Sequence, residues 1–400
     1  NSILKGTAGK EYHFFDAKGM DRGICDEDVC KHIIPKSGNN IQLTIDMELQ
    51  NFIYDLMQNY DTIRYEGSII CSIPKTGEIL AFVNSPTFDV DKFSLGISQK
   101  ELDSLNNLNS PYLNRGINPY LPGSVMKLPV AIMLIEEGVL QSTTYDCNGK
   151  YTFPNSRRRI EILENGGIDT IFLDTKKCHA NHGENIDLKE AISESCNVYF
   201  YQSVDHEYKN IYKNKWYPWM EKFGFTDIAN IDLLYEKKGN IQNFPNKTKM
   251  INLVIGQEML VTPLQVMQMI NVIANEGVMT KLHFSKNSNI IKKDLKLKKK
   301  TLEFIKSAMK KVVDEGTGNN SKIDNENAVV RGKTGTAQLV RKKKKTDAPT
   351  HAWYSGYVEY RNEEVSLVIM LEKGGSGGEA ASLMAKEIFN KIIDMDIIQK

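Results

Sequence analysis

A serine and a lysine three positions apart, Ser124 and Lys127, are the residues of this sequence best suited to covalent chemistry. In a helix, residues i and i+3 share a face about one turn apart, so the hydroxyl and the amine would be neighbours. A serine hydroxyl is a weak nucleophile, and a lysine whose pKa is lowered by burial can act as its base. Backbone N–H groups at a helix N-terminus also favour a developing oxyanion. The pair therefore predicts nucleophilic catalysis by a serine.

The spacing alone is common in this chain. S-x-x-K also occurs at Ser72/Lys75 and at Ser307/Lys310, and K-T-G occurs at both Lys75 and Lys333. The first alternative falls in a strand pattern followed by a hairpin turn, so its side chains would not stack on a helix. The second is helical, but no S-x-N sequence lies between it and Lys333. Neither alternative belongs to an ordered set of motifs on suitable elements.

One ordered set remains, and it consists of three short motifs: Ser124-x-x-Lys127 on a helix, Ser195-Cys-Asn197 at or in a second helix, and Lys333-Thr-Gly-Thr336 on a strand. This triple is the signature of β-lactamases and penicillin-binding proteins. The residues of the second and third motifs could also have purely structural roles. Ser195 and Asn197 could be helix-cap residues, and Lys333 could be a surface lysine beside a turn.

Further segments resemble the transpeptidase domain of class B penicillin-binding proteins, and the resemblance covers roughly residues 40 to 396. The segments that carry it are Asn114-Arg-Gly, Leu121-Pro-Gly-Ser124, Ile255-Gly-Gln257, Val261-Thr-Pro-Leu-Gln265, Ile273-Ala-Asn-Glu-Gly277, Gly316-Thr-Gly318, His351-Ala-Trp-Tyr354 and the glycines from Gly374 to Gly378. The stretch Cys178-His-Ala-Asn-His-Gly183 is similar to the elongation-type, cell-shape branch. Leu128 departs from the usual pattern, because many relatives have proline directly after the motif lysine.

The resemblance implies a peptidoglycan D,D-transpeptidase that crosslinks stem peptides through a serine acyl-enzyme formed with D-Ala-D-Ala termini. Ser124 would attack the penultimate D-Ala carbonyl, and unprotonated Lys127 would take the proton. Ser195 would relay a proton to the departing D-Ala, Asn197 would orient Lys127 and the substrate amide, and Lys333 would add positive charge. β-Lactams would acylate the same serine.

The third motif would also bind the substrate. The backbone N–H groups of Ser124 and Thr336 would form the oxyanion hole, and Thr334, Gly335 and Thr336 would line the subsite of the terminal carboxylate. Catalysis would need no cofactor. Trp353 and Tyr354 are expected to be core or wall residues of their strand.

A metal site is the second implication of the resemblance, because the elongation-type branch includes members with zinc bound here by carboxylate, histidine and cysteine ligands. The corresponding set in this chain is Cys147, Cys178, His182 and Cys196, with His179 as the alternative histidine. Three cysteines and one histidine suit a closed, structural zinc site. The alternative is that these are unrelated free thiols. Cys25 and Cys30 could be a disulfide or a chance pair.

The elements that must position these residues form a pattern of helix, hairpin, many helices, three strands and a final helix. The predicted strands are 68–73, 78–83, 328–340, 351–359 and 365–372. The predicted helices begin at Asp46, Ser124, Leu188, Pro263 and Glu379, and residues 141–185 read as a polar, weakly periodic loop. The pattern predicts an α+β fold with an antiparallel sheet of about five strands packed with helices. The resemblance adds the penicillin-binding-protein/β-lactamase-like transpeptidase fold with a helical subdomain.

Composition restricts the class of protein. The chain has 400 residues, 41% of them hydrophobic, so it can bury a large core. The chain has 51 lysine and arginine residues and 50 aspartate and glutamate residues, so its net charge is 51 − 50 = +1. Such a charge gives no strong electrostatic field to attract nucleic acid. No apolar run reaches the roughly 18 residues that indicate a membrane span. We expect residues 1–40 to be the remnant of an N-terminal pedestal or linker, and residues 41–400 to be the transpeptidase domain.

The resemblance also implies a cellular setting. We expect a protein on the extracytoplasmic face of a bacterial membrane, with a single N-terminal anchor missing from this fragment. Its partners would be peptidoglycan stem peptides, β-lactam antibiotics and a glycosyltransferase of the cell envelope. The rival functions are a serine β-lactamase, which needs a deacylation base that the sequence does not reveal, and a non-catalytic β-lactam sensor domain.

Overall fold

The computed structural model describes residues 4–26, 28–154, 158–162, 168–172, 175–339 and 349–397. Its α-helices are α1 Met47–Gln58, α2 Val90–Leu95, α3 Gln99–Asn106, α4 Lys127–Glu136, α5 Leu188–Ser193, α6 Asn197–Glu207, α7 Lys213–Lys222, α8 Lys247–Leu253, α9 Pro263–Ala274, α10 Lys299–Asp314 and α11 Ser382–Asp394. Its strands are β1 His13–Phe15, β2 Asp21–Ile24, β3 Gly67–Ser72, β4 Ile79–Ser85, β5 Tyr145–Cys147, β6 Lys150–Thr152, β7 Arg158–Ile162, β8 Ile168–Phe172, β9 Thr175–Lys177, β10 Gly183–Ile186, β11 Val278–Thr280, β12 Lys292–Asp294, β13 Ala328–Gln338, β14 Thr350–Tyr360 and β15 Glu363–Leu371.

A five-stranded antiparallel sheet is the centre of the fold, with the strand order β13-β14-β15-β3-β4. These are the five strands that the sequence pattern predicts, with bounds that shift by a few residues. Strand β13, which carries the Lys333 motif, pairs along its length with β14, where Lys333 lies opposite Ser355 and Thr336 opposite Ala352. Because β13 is an edge strand, its other side is free to face the helices that carry the first two motifs.

Helices cover both faces of this sheet. Helices α1 and α11 contact one face, and the buried residues Leu49 and Ile388 belong to the core between them and the strands. Helix α9 contacts the other face, and all of its residues are buried. Thr262 caps this helix through a capping box with Gln265, as the Thr-Pro sequence at its start predicts. The predicted α+β architecture, helices packed on an antiparallel sheet, is therefore present.

The helix that the sequence predicts from Leu188 onward, to about Val204, is wrong as one continuous element, because the structure breaks it into α5 and α6. Ser195 takes a left-handed backbone conformation with φ of 54°. Its N–H donates to the Ile192 carbonyl, and the N–H of Cys196 donates to the Ala191 carbonyl. These two bonds form a Schellman motif, which ends a helix and usually has glycine at the left-handed position. Hydrophobic periodicity continues across such a break and does not reveal it.

The loop predicted over residues 141–185 is also wrong in part, because much of it is an antiparallel arm. Strand β5 pairs with β10, β6 with β9, and β7 with β8, so the chain runs out and back through three short two-stranded ladders. The individual strands are three to five residues long. Four of the six, β5, β6, β9 and β10, have only three or four residues, which is too short for an alternation of apolar and polar residues to give a clear signal. Strand β7 does alternate, at Ile160-Glu161-Ile162.

The N-terminal residues contain a small hairpin. Strand β1 pairs with β2, and a disulfide joins Cys25 to Cys30 just beyond them. Across the part of the chain that the structure describes, none of the helices combines the length and the apolar character needed to cross a membrane.

Candidate active site

Ser124 lies in a short 3₁₀ turn, Gly123–Met126, that leads directly into α4 at Lys127. In 3₁₀ geometry the side chains at i and i+3 lie on the same face, so the turn places Ser124 and Lys127 on one side of the chain. Ser124 is partly exposed, whereas the Lys127 side chain is completely buried. The nucleophile can therefore meet a ligand while the amine is shielded from water.

Oxygen atoms of the second motif surround the Lys127 amine. Its Nζ lies 2.5 Å from the Ser195 carbonyl oxygen, 2.7 Å from Asn197 Oδ1 and 3.2 Å from Ser195 Oγ. A neutral amine has two hydrogens, which the carbonyl and the amide oxygen can accept. The lone pair is then left for a proton from a hydroxyl, as a general base requires.

The Lys333 amine reaches the same hydroxyl from the opposite side. Its Nζ lies 2.9 Å from Ser195 Oγ and 3.0 Å from the Thr334 carbonyl oxygen. Ser195 Oγ therefore connects the lysine of the first motif to the lysine of the third. All three motifs that the sequence predicts are brought into one hydrogen-bonded group.

Burial controls the charge of this group. It lowers the pKa of Lys127 to about 8, although the thiols of Cys196, Cys178 and Cys147 oppose this shift. Burial also lowers the pKa of Lys333 well below the usual value, and a charge on Lys127 lowers it further. The two amines flank one hydroxyl, so protonating one disfavours protonating the other. The site is thus suited to hold one positive charge and one free amine.

The turn before Ser124 is packed tightly between two other motifs. A Cβ on Gly256 would lie 2.0 Å from the Gly123 carbonyl oxygen, and a Cβ on Gly123 would lie 2.7 Å from the Thr336 carbonyl oxygen. The Gly123 N–H donates to the Gly256 carbonyl at 3.0 Å. This close approach holds Gly123, the residue directly before Ser124, against the backbone of Thr336.

The remaining residues of the third motif face different surroundings. Thr334 is 5% exposed, and its Oγ1 lies 2.7 Å from Thr317 Oγ1. Thr336 is exposed, and its Oγ1 accepts a hydrogen bond from the Gly377 N–H at 3.2 Å. Trp353 is fully buried and donates from Nε1 to the Leu121 carbonyl at 2.9 Å, so it is a wall residue behind the nucleophile turn.

The rival S-x-x-K pairs lie outside this group. Ser72 is buried in β3 and contacts Asn271, and Lys75 pairs with Glu363. Ser307 is exposed on α10, and Lys310 pairs with Asp314 one turn further along.

A buried ion pair near the nucleophile turn was not predicted from the sequence. Arg115 is fully buried, and its Nε lies 3.1 Å from Glu372 Oε1, which also accepts from the Tyr120 hydroxyl at 2.8 Å. Arg115 further donates to the Asn109 and Ser110 carbonyls. Glu372 thus ties the segment before Ser124 to the end of β15. The resemblance of Asn114-Arg-Gly was the only signal for this arginine, and nothing in the sequence indicated its partner.

The thiol cluster lies at the base of the antiparallel arm, beside the second motif. The His182 N–H donates to the Cys147 carbonyl and the Cys178 N–H to the Gly149 carbonyl, so the ladders bring both ends of the arm together. Ligand atoms of Cys147, Cys178, His182 and Cys196 all lie within 4.8 Å of one another. His182 Nδ1 is 3.3 Å from Cys147 Sγ and 3.7 Å from Cys178 Sγ, whereas His179 is exposed.

The chemistry of these donors fits a zinc ion. A hydrogen bond from the Cys196 thiol lowers the pKa of the Cys178 thiol, and the same bond raises the pKa of Cys196. The cluster therefore favours a thiolate, which is the form that binds metal. His182 Nε2 is buried and has no hydrogen-bond partner among the described residues. The Asn197 N–H donates to Cys178 Sγ at 3.2 Å, which links the cluster to the catalytic group.

Comparison with known proteins agrees with the motifs. The family description "Penicillin binding protein transpeptidase domain" matches residues 67–394. A curated relative, the peptidoglycan D,D-transpeptidase MrdA of Haemophilus influenzae, is 29% identical over 399 residues and covers 91% of this chain. The chain spans 58% of the length of that relative.

Solved structures confirm the predicted fold. The complex between penicillin-binding protein PBP2 and MreC from Helicobacter pylori matches with a TM-score of 0.78 and 24% identity, covering 98% of this chain and 70% of that one. A structure described as the structural coordination of polymerization and crosslinking by a peptidoglycan synthase complex matches with a TM-score of 0.74 and 24% identity, covering 97% and 67%. At this identity the likeness concerns the fold alone.

Proposed function

Because the chain belongs to the penicillin-binding-protein transpeptidase family, we propose that it is a peptidoglycan D,D-transpeptidase that acts through a serine acyl-enzyme. The observation that carries this proposal is the bridging position of Ser195 Oγ, which lies 3.2 Å from the Lys127 amine and 2.9 Å from the Lys333 amine. The name of the relative, MrdA, agrees with the elongation-type branch that the sequence resembles.

The arrangement suggests how each residue acts. Ser124 Oγ attacks the carbonyl carbon of the penultimate D-Ala, and its proton passes to the free Lys127 amine. The backbone N–H groups of Ser124 and Thr336 bind the oxyanion of the tetrahedral intermediate. Collapse of this intermediate breaks the peptide bond, and Ser195 delivers the proton from Lys127 to the leaving amine of D-Ala. An acceptor amine from a neighbouring stem peptide then attacks the ester and releases Ser124.

The substrate is held by the rest of the group. Asn197 Oδ1 accepts from Lys127 at 2.7 Å, which leaves the amide N–H₂ for the substrate backbone. Thr334 and Thr336 hold the terminal carboxylate, and the charge shared by the two lysines favours this anion. Gly335 between them lets the nucleophile turn pack against the strand, because a Cβ there would lie 2.9 Å from the Pro122 carbonyl oxygen.

Exposure to benzylpenicillin followed by a crosslinking assay tests this function. We expect intact mass spectrometry to show one penicilloyl adduct per chain, with a half-life long compared with the assay, and purified stem peptides to be crosslinked. An adduct that hydrolyses quickly would instead identify a β-lactamase. A stable adduct with no crosslinking of stem peptides would identify a sensor. Absence of any adduct would contradict all three functions, because each of them requires that penicillin acylates the serine.

We propose one structural zinc ion bound by Cys147, Cys178, His182 and Cys196. The support is the mutual distance of at most 4.8 Å between the four ligand atoms, which suits Zn–S bonds of about 2.3 Å after small shifts. Four protein ligands leave no open position, so the ion would take no part in the chemical step. Its effect would be to fix Cys196, which lies between Ser195 and Asn197.

Elemental analysis should find about one zinc ion per chain in protein purified without added metal or chelator. Cys178→Ser should lose this zinc and lower the melting temperature by about 5 °C or more, because metal binding contributes directly to the stability of the arm. His179→Ala is the matched control for the zinc content: this exposed histidine lies 3.8 Å from Cys178 Sγ through Nδ1 but is outside the proposed ligand set, so its removal should leave the zinc in place. Substoichiometric zinc, or loss of zinc in the His179 variant, would contradict this ligand set.

The cellular setting is likewise a proposal. We place the protein on the extracytoplasmic face of a bacterial membrane, attached through an N-terminal anchor, with residues 1–40 as the end of a pedestal and residues 41–400 as the transpeptidase domain. The Cys25–Cys30 disulfide suits an oxidising compartment. A glycosyltransferase partner is supported by the structural neighbour that belongs to a peptidoglycan synthase complex.

A further inference from the structure

Thr317 lies behind the third motif, in the turn that follows α10, and it contacts two motifs at once. Its Oγ1 is 2.7 Å from Thr334 Oγ1, and its N–H donates to the Ser193 carbonyl at 3.2 Å. Ser193 is two residues before Ser195. The preceding Gly316 packs so closely that a Cβ there would lie 2.5 Å from the Ser193 carbonyl oxygen. Thr317 is therefore held firmly between the second and third motifs.

The hydroxyl of Thr317 can point its proton in two directions. It can donate to the Ser193 carbonyl, which is 3.4 Å away, or to Thr334 Oγ1 at 2.7 Å. The first choice makes Thr334 the donor of the short bond, which uses its only hydroxyl proton. The second makes Thr334 the acceptor and leaves that proton for a ligand. The second choice costs little, because the Ser193 carbonyl keeps the backbone N–H of Thr317.

The neighbouring threonine of the motif is already arranged in this way. Thr336 Oγ1 accepts from the Gly377 N–H, so its proton is free to point elsewhere. The glycine-rich segment that supplies this donor also contacts the Thr317 turn, because Asn320 Nδ2 donates to the Gly378 carbonyl at 2.7 Å. The Thr336 hydroxyl is thus backed by a donor from behind, and the Thr334 hydroxyl is backed in the same way when Thr317 donates to it, as binding of an anion in front of them requires.

We propose that Thr317 is a positioning residue that turns the Thr334 hydroxyl into a donor and so selects ligands with a carboxylate next to the reacting carbonyl. This inference rests on the proposed function, because it assigns Thr317 a part in reading the C-terminal carboxylate of D-Ala-D-Ala and of penicillins. A carboxylate arriving at Thr334 draws the Thr334 proton toward itself, and the Thr317 proton follows into the vacated position. Neither threonine exchanges a proton with solvent in this step, and no bond other than hydrogen bonds changes.

The test compares two ligands in three proteins. Second-order acylation rates are measured with benzylpenicillin and with its methyl ester, for the parent, Thr317→Val and Thr317→Ser. Valine keeps the shape of the side chain and removes the hydroxyl. We expect the ratio of the acid rate to the ester rate to fall about tenfold in the valine variant, since a hydrogen bond to a charged group contributes at least that factor. Serine should restore the ratio to within about twofold of the parent, since it keeps the hydroxyl that makes this bond.

The ratio is used because it does not depend on the fraction of protein that folds. A valine variant that slows both ligands equally, or neither, overturns the role of Thr317 while leaving the acyl-enzyme mechanism intact. A serine variant that behaves like valine also overturns it. A parent protein that benzylpenicillin does not acylate overturns the proposed function, and this inference with it. The pattern of rates therefore separates the two failures.

Discussion

Ser124→Ala should abolish labelling by a fluorescent penicillin, and in the parent the labelled tryptic peptide should contain Ser124. Alanine removes the atom that forms the acyl bond, and loss of a catalytic serine typically lowers turnover on the order of 10⁶-fold. The substitution should leave the fold intact, because Ser124 is partly exposed and alanine is a good helix former. The measurement is in-gel fluorescence followed by peptide mapping.

Ser307→Ala is the matched control for this experiment. It removes the serine of a rival S-x-x-K sequence that is exposed on α10, so labelling should be unchanged. Label that persists in Ser124→Ala, or that maps to Ser307 or Ser72, would show that the ordered motif triple has been misassigned.

Lys127→Ala should lower the rate of acylation by at least about 10²-fold, which is the usual contribution of a positioned general base. The change should also remove a pH dependence. In the parent the rate should rise as the pH passes through about 8, the pKa to which burial lowers Lys127, because only the unprotonated amine accepts the serine proton. The residual activity of the alanine variant should lack this rise. Stopped-flow acylation across the pH range measures both effects.

Lys310→Ala provides the control for the removal of a lysine from a helix. This residue belongs to the rival motif and pairs only with Asp314 on the surface among its described contacts, so rate and pH profile should match the parent. A Lys127 variant with an unchanged rate, or with the same rise in rate near the pKa of about 8, would identify another group as the base.

Much of the sheet could be predicted because its strands carry strong local signals. Strands β14 and β15 have 11 and 9 residues and are mostly buried, every residue of β3 is buried, and a capping box marks the start of α9. The motif residues were found through their order along the chain, since the spacing of any single motif is too common to decide. The geometry that joins them, with Ser195 Oγ between two buried amines, follows from packing and not from local sequence.

The errors have a common physical cause, which is that tertiary contacts override local pattern. A serine occupies the left-handed position that ends α5, where glycine would have been the recognisable signal. A left-handed conformation is costly for a residue other than glycine, and such strain is found at functional sites where the surroundings impose it. The short strands of the arm are held by their ladders, and the partner of Arg115 is Glu372, 257 positions away in the chain. No local pattern encodes these contacts.

The break between α5 and α6 also leaves one backbone acceptor and one backbone donor available to side chains. Aligned peptide dipoles make the last carbonyls of a helix attractive to a cation and the first N–H groups attractive to an anion. At this break the Ser195 carbonyl, two residues beyond the end of α5, accepts a hydrogen bond from the Lys127 amine, and the Asn197 N–H at the start of α6 donates to Cys178 Sγ. A carbonyl that accepts from an amine and an N–H that donates to a sulfur therefore lie two residues apart. A single continuous helix across this segment would keep the motif residues in order, but it would use this carbonyl and this N–H in its own hydrogen bonds.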